Sequence, residues 1–262
     1  MEQCIREIIQ DSDMVLVGIG EEFEGVRQLK QITEYVRLIE EAEASGKEWM
    51  IPALNRYFAD REIKKGKSAF VQIPNALSNL AKLLQDKNYF VVTVTTNDYV
   101  WDAGFKEGRV VAPCGGSRKK QCACGKDCEM HPQPISQEEW EQLQGDICNR
   151  IYENETCPEC KSPLVFNNIF ADNYDERGYL DTWQIYTKWL QGTLNRKLCI
   201  LELGVGMQYP SIIRFPFEKI GYFNQKANFI RVNKNLYHLT EELKEKGISI
   251  SENAVDWITS LC

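Results

Sequence analysis

Short apolar runs and amphipathic stretches take turns along this chain. Met14-Val15-Leu16-Val17 is the first run with strand character, and it leads into Gly18-Ile19-Gly20. From Val26 to Ala44, apolar residues recur at spacings of three and four (Val26, Leu29, Ile32, Val36, Ile39), which predicts a helix. Trp49 to about Arg61 reads as a second helix, and Lys64-Lys65-Gly66-Lys67 as a solvated loop. Ala76, Leu80, Leu83 and Leu84 mark a third amphipathic helix. Tyr89 to Val94 is the clearest strand, followed by a short one at Arg109 to Ala112. Strand-like runs return at Leu164 to Phe170, Leu198 to Leu203 and Asn228 to Val232, separated or followed by helical stretches at about 179–195, 210–220 and 253–260. Trp183, Tyr186 and Trp189, at helical spacing, are read as core.

Strands alternating with helices predict an α/β fold with a Rossmann-type, doubly wound parallel sheet. Residues 1–25, 70–120 and 164–262 are assigned to that domain and 26–69 to a helical insertion. Between 121 and 163 the composition shifts to Cys, Pro and charge, with one helical piece near Glu138 to Leu143, and this is read as a small inserted zinc-binding module.

At 262 residues, 43% apolar and 26% charged, the composition is that of a globular chain. Lys plus Arg gives 31 against 38 for Asp plus Glu, a net charge of −7, which argues against a nucleic-acid partner or a membrane anchor. No apolar run approaches the roughly 18 residues of a membrane span. The opening MEQCIREIIQDSD lacks the basic start and apolar core of a signal peptide, so a cytoplasmic location is expected.

Ten cysteines in such a chain call for an explanation other than disulfides. Cys122, Cys124 and Cys128 cluster, Cys157-Pro158-Glu159-Cys160 has the two-residue spacing of a zinc half-site, and Cys148 lies between them. Four thiolates on one structural Zn²⁺ are expected, with the upstream pair open among Cys122, Cys124 and Cys128, since Cys-x-Cys is short for two ligands on one tetrahedral ion. His131 is read as a bystander, and His238 has no Cys, Ser or Asp partner nearby in the sequence.

Gly18-Ile19-Gly20 is a fragment of a phosphate-binding turn, with Phe23 where a third glycine would stand and the acidic Glu21 and Glu22 directly after it. Leu203-Gly204-Val205-Gly206 repeats the strand–glycine arrangement and leads to Pro210 at the start of a helix. Thr95-Thr96-Asn97-Asp98 follows the clearest strand, where open α/β sheets place ligands; a polar turn capping a helix is the alternative.

In order, these pieces resemble the sirtuins, an NAD-consuming family that joins a Rossmann-type domain to a small zinc ribbon. The resemblance spans nearly the whole chain: Gly18-Ile19-Gly20, Thr95-Thr96-Asn97-Asp98, Cys114-Gly115, the two cysteine pairs, Gly204-Val205-Gly206 and Asn233. It is greatest toward the macrodomain-linked (class M) bacterial branch. Thr95-Thr96-Asn97, Ala103-Gly104-Phe105, Gln121-Cys122, Leu201 to Gly206 and Arg214-Phe215-Pro216-Phe217 carry that likeness. Three positions depart: Cys114 replaces the sirtuin histidine, Glu21-Glu22-Phe23 replaces the small residues that hold the phosphates, and Asp98 falls one position early.

The resemblance implies NAD as co-substrate, held by Gly18, Ile19, Gly20, Glu22, Thr95, Thr96, Asn97, Asp98, Gly204, Val205, Gly206 and Asn233. It implies zinc on Cys122, Cys128, Cys157 and Cys160, with Cys124 as the alternative to Cys128. Asn97 would position the ribose, and Cys114 stands where deacylating members keep their base. Without that base, the implied reaction is ADP-ribosyl transfer to a protein acceptor, a lipoyl-carrier protein in class M relatives, with release of nicotinamide. NAD-dependent deacylation and non-catalytic sensing of NAD or ADP-ribose are the alternatives.

Overall fold

The structure is a computed structural model and describes residues 2–149 and 155–261. Its strands are β1 (Met14–Ile19), β2 (Asn88–Thr93), β3 (Val110–Val111), β4 (Gly115–Cys122), β5 (Gln133–Pro134), β6 (Leu164–Asn168), β7 (Leu198–Leu203), β8 (Ala227–Val232) and β9 (Gly247–Ile250). Six of them form a sheet in the order β3-β2-β1-β7-β8-β9, with every pair parallel. A parallel sheet of this kind is covered on both faces, which is why β1 and β7 are buried along their whole length.

Alternation along the strands divides the core in two. Val15, Val17, Ile19, Val91, Leu201 and Ile230 point to one face, where helices Glu2–Asp11, Ser68–Leu84 and Ala254–Leu261 pack. Leu16, Phe90, Val92, Ile200 and Phe229 point to the other, against helices Arg177–Gln191 and Arg214–Phe223. Tyr186 and Trp189 are buried there as expected, and the Trp189 indole N–H donates to Asn88 Oδ1 (2.8 Å). Burying one such side chain contributes on the order of 1.5–3 kcal/mol.

The chain lays β2 and β3 on one side of β1, then returns to place β7 on the other. The strand order therefore reverses between β1 and β7, where an open α/β sheet leaves a crevice beyond its carboxyl ends. Between the two halves, β4, β5 and β6 make a separate antiparallel sheet in the order β5-β4-β6, beside the helix Gln137–Asn149. Residues 150–154 of the predicted module, and the side chains of Cys148 and Cys262, lie outside the described residues.

Several predicted elements differ in detail. The helix over 26–44 is two, Val26–Leu29 and Thr33–Ala44, because Ile32 is extended (φ −98°, ψ 108°). Leu29 is buried in the first and Tyr35, Leu38 and Ala42 in the second, while Val36 and Ile39 are half-buried. The helix expected from Pro210 starts at Arg214. The lysine run near 64–67 does more than meet solvent: Lys65 and Lys67 each pair at 2.7 Å with the buried Glu62. Among the described residues, no helix is long and apolar enough to cross a membrane.

Candidate functional site

The two glycine turns meet at the crevice. Ile19 and Leu203 are register partners, and the Gly20 amide donates to the Leu203 carbonyl (2.9 Å). A Cβ on Gly20 would lie 2.3 Å from Val205 Cα, so only glycine lets the turns approach this closely. Gly204 has φ +62°, in the left-handed region that glycine enters at little cost.

Two buried asparagines brace these turns. The Asn97 amide donates to the Phe23 carbonyl (2.6 Å), and its carbonyl accepts the Tyr99 N–H (3.2 Å). Asn233 donates to the Val205 carbonyl (3.1 Å) and accepts the amides of Asn235 (2.9 Å) and Leu236 (2.7 Å). Asn97 therefore ties the polar turn that follows β2.

A cleft of about 500 Å³ opens over this junction, lined among others by Glu22, Gly204, Gly206, Asn233 and Asn253. Gly204, Gly206 and Asn233 line this cleft, while Gly20 meets it only through its contact with the second turn. The Thr95–Asp98 stretch is not part of this lining and is tied instead to Glu24, whose carboxylate accepts the Thr96 amide (2.9 Å) and hydroxyl (2.6 Å). Burial pushes the Glu24 carboxyl up, against the lowering effect of the Thr96 hydrogen bonds. Asp98 is held in the left-handed region (φ 63°) by the amide (2.8 Å) and hydroxyl (2.5 Å) of Ser117 on β4. Burial raises its carboxyl too, and the Ser117 bonds oppose that.

Cys114 is fully buried, packed with Val94, Val111 and Val205. Burial first, then the charges of Glu24 and Glu21, push its thiol up to about 12. The neighbouring cations are engaged elsewhere. Arg118 pairs with Asp102, Lys119 donates to the Gly178 carbonyl (2.5 Å), and Lys120 pairs with Glu139 and Glu155 (both 3.0 Å). Among the described residues, none of these three cations is directed at the Cys114 thiol, and burial favours its neutral form.

Two features were not singled out from the sequence. Glu24 is one; its acidic side chain between Phe23 and Gly25 was the available signal. The other is the ion network of Glu202, Arg214 and Arg231 under the second glycine turn, in which Arg214 donates to the Val205 carbonyl (2.5 Å). Its signal was a charge set among apolar residues in each of two strands, Glu202 in β7 and Arg231 in β8.

The thiols of Cys122, Cys124, Cys128 and Cys160 lie within 4.8 Å of one another. Cys157 joins them through Cys128, at 3.6 Å, and its thiol also meets Met130 Sδ at 3.7 Å. The short turn Gly125–Asp127 folds the loop back, so both Cys124 and Cys128 reach the cluster, and Cys157 stands outside this group of four. Zn–S bonds of about 2.3 Å place tetrahedral sulfurs about 3.8 Å apart. Contacts of 3.1–3.6 Å among these thiols fit one such ion after small side-chain adjustments. The donor set is all sulfur, with Cys122, Cys128 and Cys157 buried, which suits a structural rather than a catalytic ion. His131 is exposed and outside the cluster.

No family model matches the chain. It is 23% identical over 282 residues to a protein ADP-ribosyltransferase of Staphylococcus aureus strain Mu50, covering 98% of this chain and 86% of that protein. Among solved structures, it is similar to a Sir2 homologue in complex with 2′-O-acetyl ADP-ribose, with a TM-score of 0.60 and 14% identity over 100% of this chain and 95% of the other. It is also similar to a Sir2 homologue–NAD complex, with a TM-score of 0.58 and 13% identity over 100% and 92% of the two chains. The parallel sheet, the crevice at its strand reversal and the inserted cysteine module together are the fold of the sirtuins.

Proposed function

We propose that this chain is an NAD-dependent transferase of the sirtuin type that moves ADP-ribose to a protein acceptor and releases nicotinamide. The preference for transfer is carried by one observation, the sealed and neutral thiol of Cys114 at the place where deacylation needs a base. A general base of matched pKa contributes typically 10²–10⁴-fold, and a thiol raised to about 12 supplies no such group at neutral pH. The Staphylococcus aureus relative, a protein ADP-ribosyltransferase, supports the same reading.

NAD bound in the crevice would supply the ADP-ribosyl group, the bond to nicotinamide breaking with its electron pair on the departing ring. The chain's own residues bind and orient. Gly18 and Gly20 let the first turn pack closely on Ile213 and Val205, while Gly204, Gly206 and Asn233 line the cleft, where Asn233 would stand on the adenosine side. Thr95, Thr96, Asn97 and Asp98 follow β2 at the carboxyl end of the sheet and would form the edge toward the ribose and nicotinamide, with Asn97 positioning the sugar. Such orientation is a large part of what a site contributes to rate. Zinc on the cysteine cluster would hold the small module in place. For the acceptor we propose a lipoyl-carrier protein, and for the location the cytoplasm.

The test is incubation with labelled NAD and acceptor proteins, a lipoyl-carrier protein among them, reading nicotinamide release and label on the acceptor. Labelling that Asn97→Ala abolishes is expected. Efficient turnover of acyl-lysine peptides without labelling would replace this reading with deacylation. NAD binding with no nicotinamide released would make the protein a sensor.

A further inference from the structure

The reaction proposed above gives no role to Glu21, and the family resemblance places Glu22 among the residues that hold NAD. Yet the Glu21 carboxylate accepts the amides of Gly206 (2.5 Å) and Gln208 (3.2 Å). The Glu22 carboxylate accepts those of Lys234 (2.9 Å) and Ala254 (2.7 Å). These donors come from three separate loops around one cleft, whose lining includes Glu21, Glu22, Gly206 and Lys234. Ala254 opens the helix Ala254–Leu261, so its amide is one that the helix leaves without an internal partner. Amides at glycine turns and helix starts are the groups with which proteins hold phosphates.

We propose that Glu21 and Glu22 are internal stand-ins for the phosphates of a bound dinucleotide, which must displace them to enter, so that these two residues set the affinity and selectivity of the cleft. The inference rests on the reading of this cleft as the nucleotide site. A carboxylate and a phosphate present the same kind of oxygen to an N–H group, and each amide here is already taken. The carboxylates also fill the space above the turn. A Cβ on Gly204 would lie 2.6 Å from Glu22 Cβ, and one on Gly206 3.0 Å from the Glu21 carboxyl carbon. Arg27 and Lys234 line the same cleft and offer cationic partners to carboxylates that swing out. Small residues at these two positions would leave the amides open to any anion; glutamates admit only a ligand with enough other contacts to exchange for them.

Calorimetric titration of the full chain with NAD, and with adenosine as a ligand without phosphate, tests this in the wild type, Glu21→Ala and Glu22→Ala. Thermal melting and zinc content check that each variant is folded. NAD is expected to bind at least tenfold tighter to each variant, with adenosine affinity changed less than twofold. Because the carboxylates also tie loops together, Glu21→Gln and Glu22→Gln, which keep shape and one acceptor oxygen, carry the same test with at least a threefold gain expected. Equal or weaker NAD binding by folded variants, with the wild type binding, overturns this inference and leaves the nucleotide reading intact. Absence of NAD binding in the wild type and every variant overturns both.

Discussion

Glu202 and Arg231 are register partners on β7 and β8, and Arg231 Nε lies 2.7 Å from Glu202 Oε1 with both side chains sealed from solvent. The same guanidinium pairs with Glu218 (2.7 Å) and donates to the His238 carbonyl (2.6 Å). Arg214 reaches Glu202 (3.2 Å) from the neighbouring helix and donates to the carbonyls of Val205 and Leu236. A buried network of charges thus fixes the second glycine turn and the loop after β8 relative to the sheet.

Removing one partner of a buried pair leaves the other charge uncompensated, at a cost of roughly 3–5 kcal/mol. Arg231→Met is expected to lose about that much stability in urea denaturation and to weaken ligand binding at the Gly204–Gly206 turn. A loss below about 1 kcal/mol would show that the network contributes little.

Cys114 should behave as a buried apolar group. With its thiol pushed up to about 12, native protein at pH 8 is expected to react with iodoacetamide at the exposed Cys4 and not at Cys114, which becomes reactive only on unfolding. Peptide mapping after alkylation reads this directly. Cys114→Ser should keep most nicotinamide release; its loss with NAD binding intact would make the thiol a participant in the reaction.

The cysteine cluster should hold one zinc per chain. Thiolate ligation contributes folding free energy outright, so chelation is expected to loosen the β4–β6 sheet. In elemental analysis, Cys122→Ser should lower zinc to a small fraction of one equivalent, whereas His131→Ala should leave it unchanged.

Glu62 makes a contribution that depends on pH. Hydrogen bonds from Lys65 and Lys67 hold its carboxyl at about 2, below the ordinary 4.5. A depressed carboxyl stabilises the fold above the unfolded value and loses that contribution as pH falls toward the folded one. Stability should therefore drop between pH 4.5 and 2, and Glu62→Gln should flatten that part of the profile. At pH 7 the same substitution is expected to cost about 1 kcal/mol, because both lysines are largely exposed. Thermal melts of the two proteins across this range provide the measurement.

Much of the fold was legible because local pattern and global architecture agree. Runs such as Met14–Val17 and Leu198–Leu203 are apolar at every position because both faces of a parallel sheet are covered. β4 was missed for the opposite reason: Gly115-Gly116-Ser117-Arg118-Lys119-Lys120 has no apolar alternation, and its pairing with β6 comes from the module around it. β9 was missed as well, a short edge strand with only its last residue fully buried.

By itself the sequence determined the class of sheet, the pairing of glycine turns with strand ends and the presence of a cysteine module, since spacing and hydrophobic period are local properties. Only the tertiary structure decided what the polar residues do there. Packing seals Cys114 and raises its thiol, and a folded-back turn admits Cys124 beside Cys128. It also delivers the Glu21 and Glu22 carboxylates to amides that lie between 185 and 232 residues away along the chain. A charge in a sequence carries no record of the donors it will meet, because those donors converge only when β1 and β7 come together.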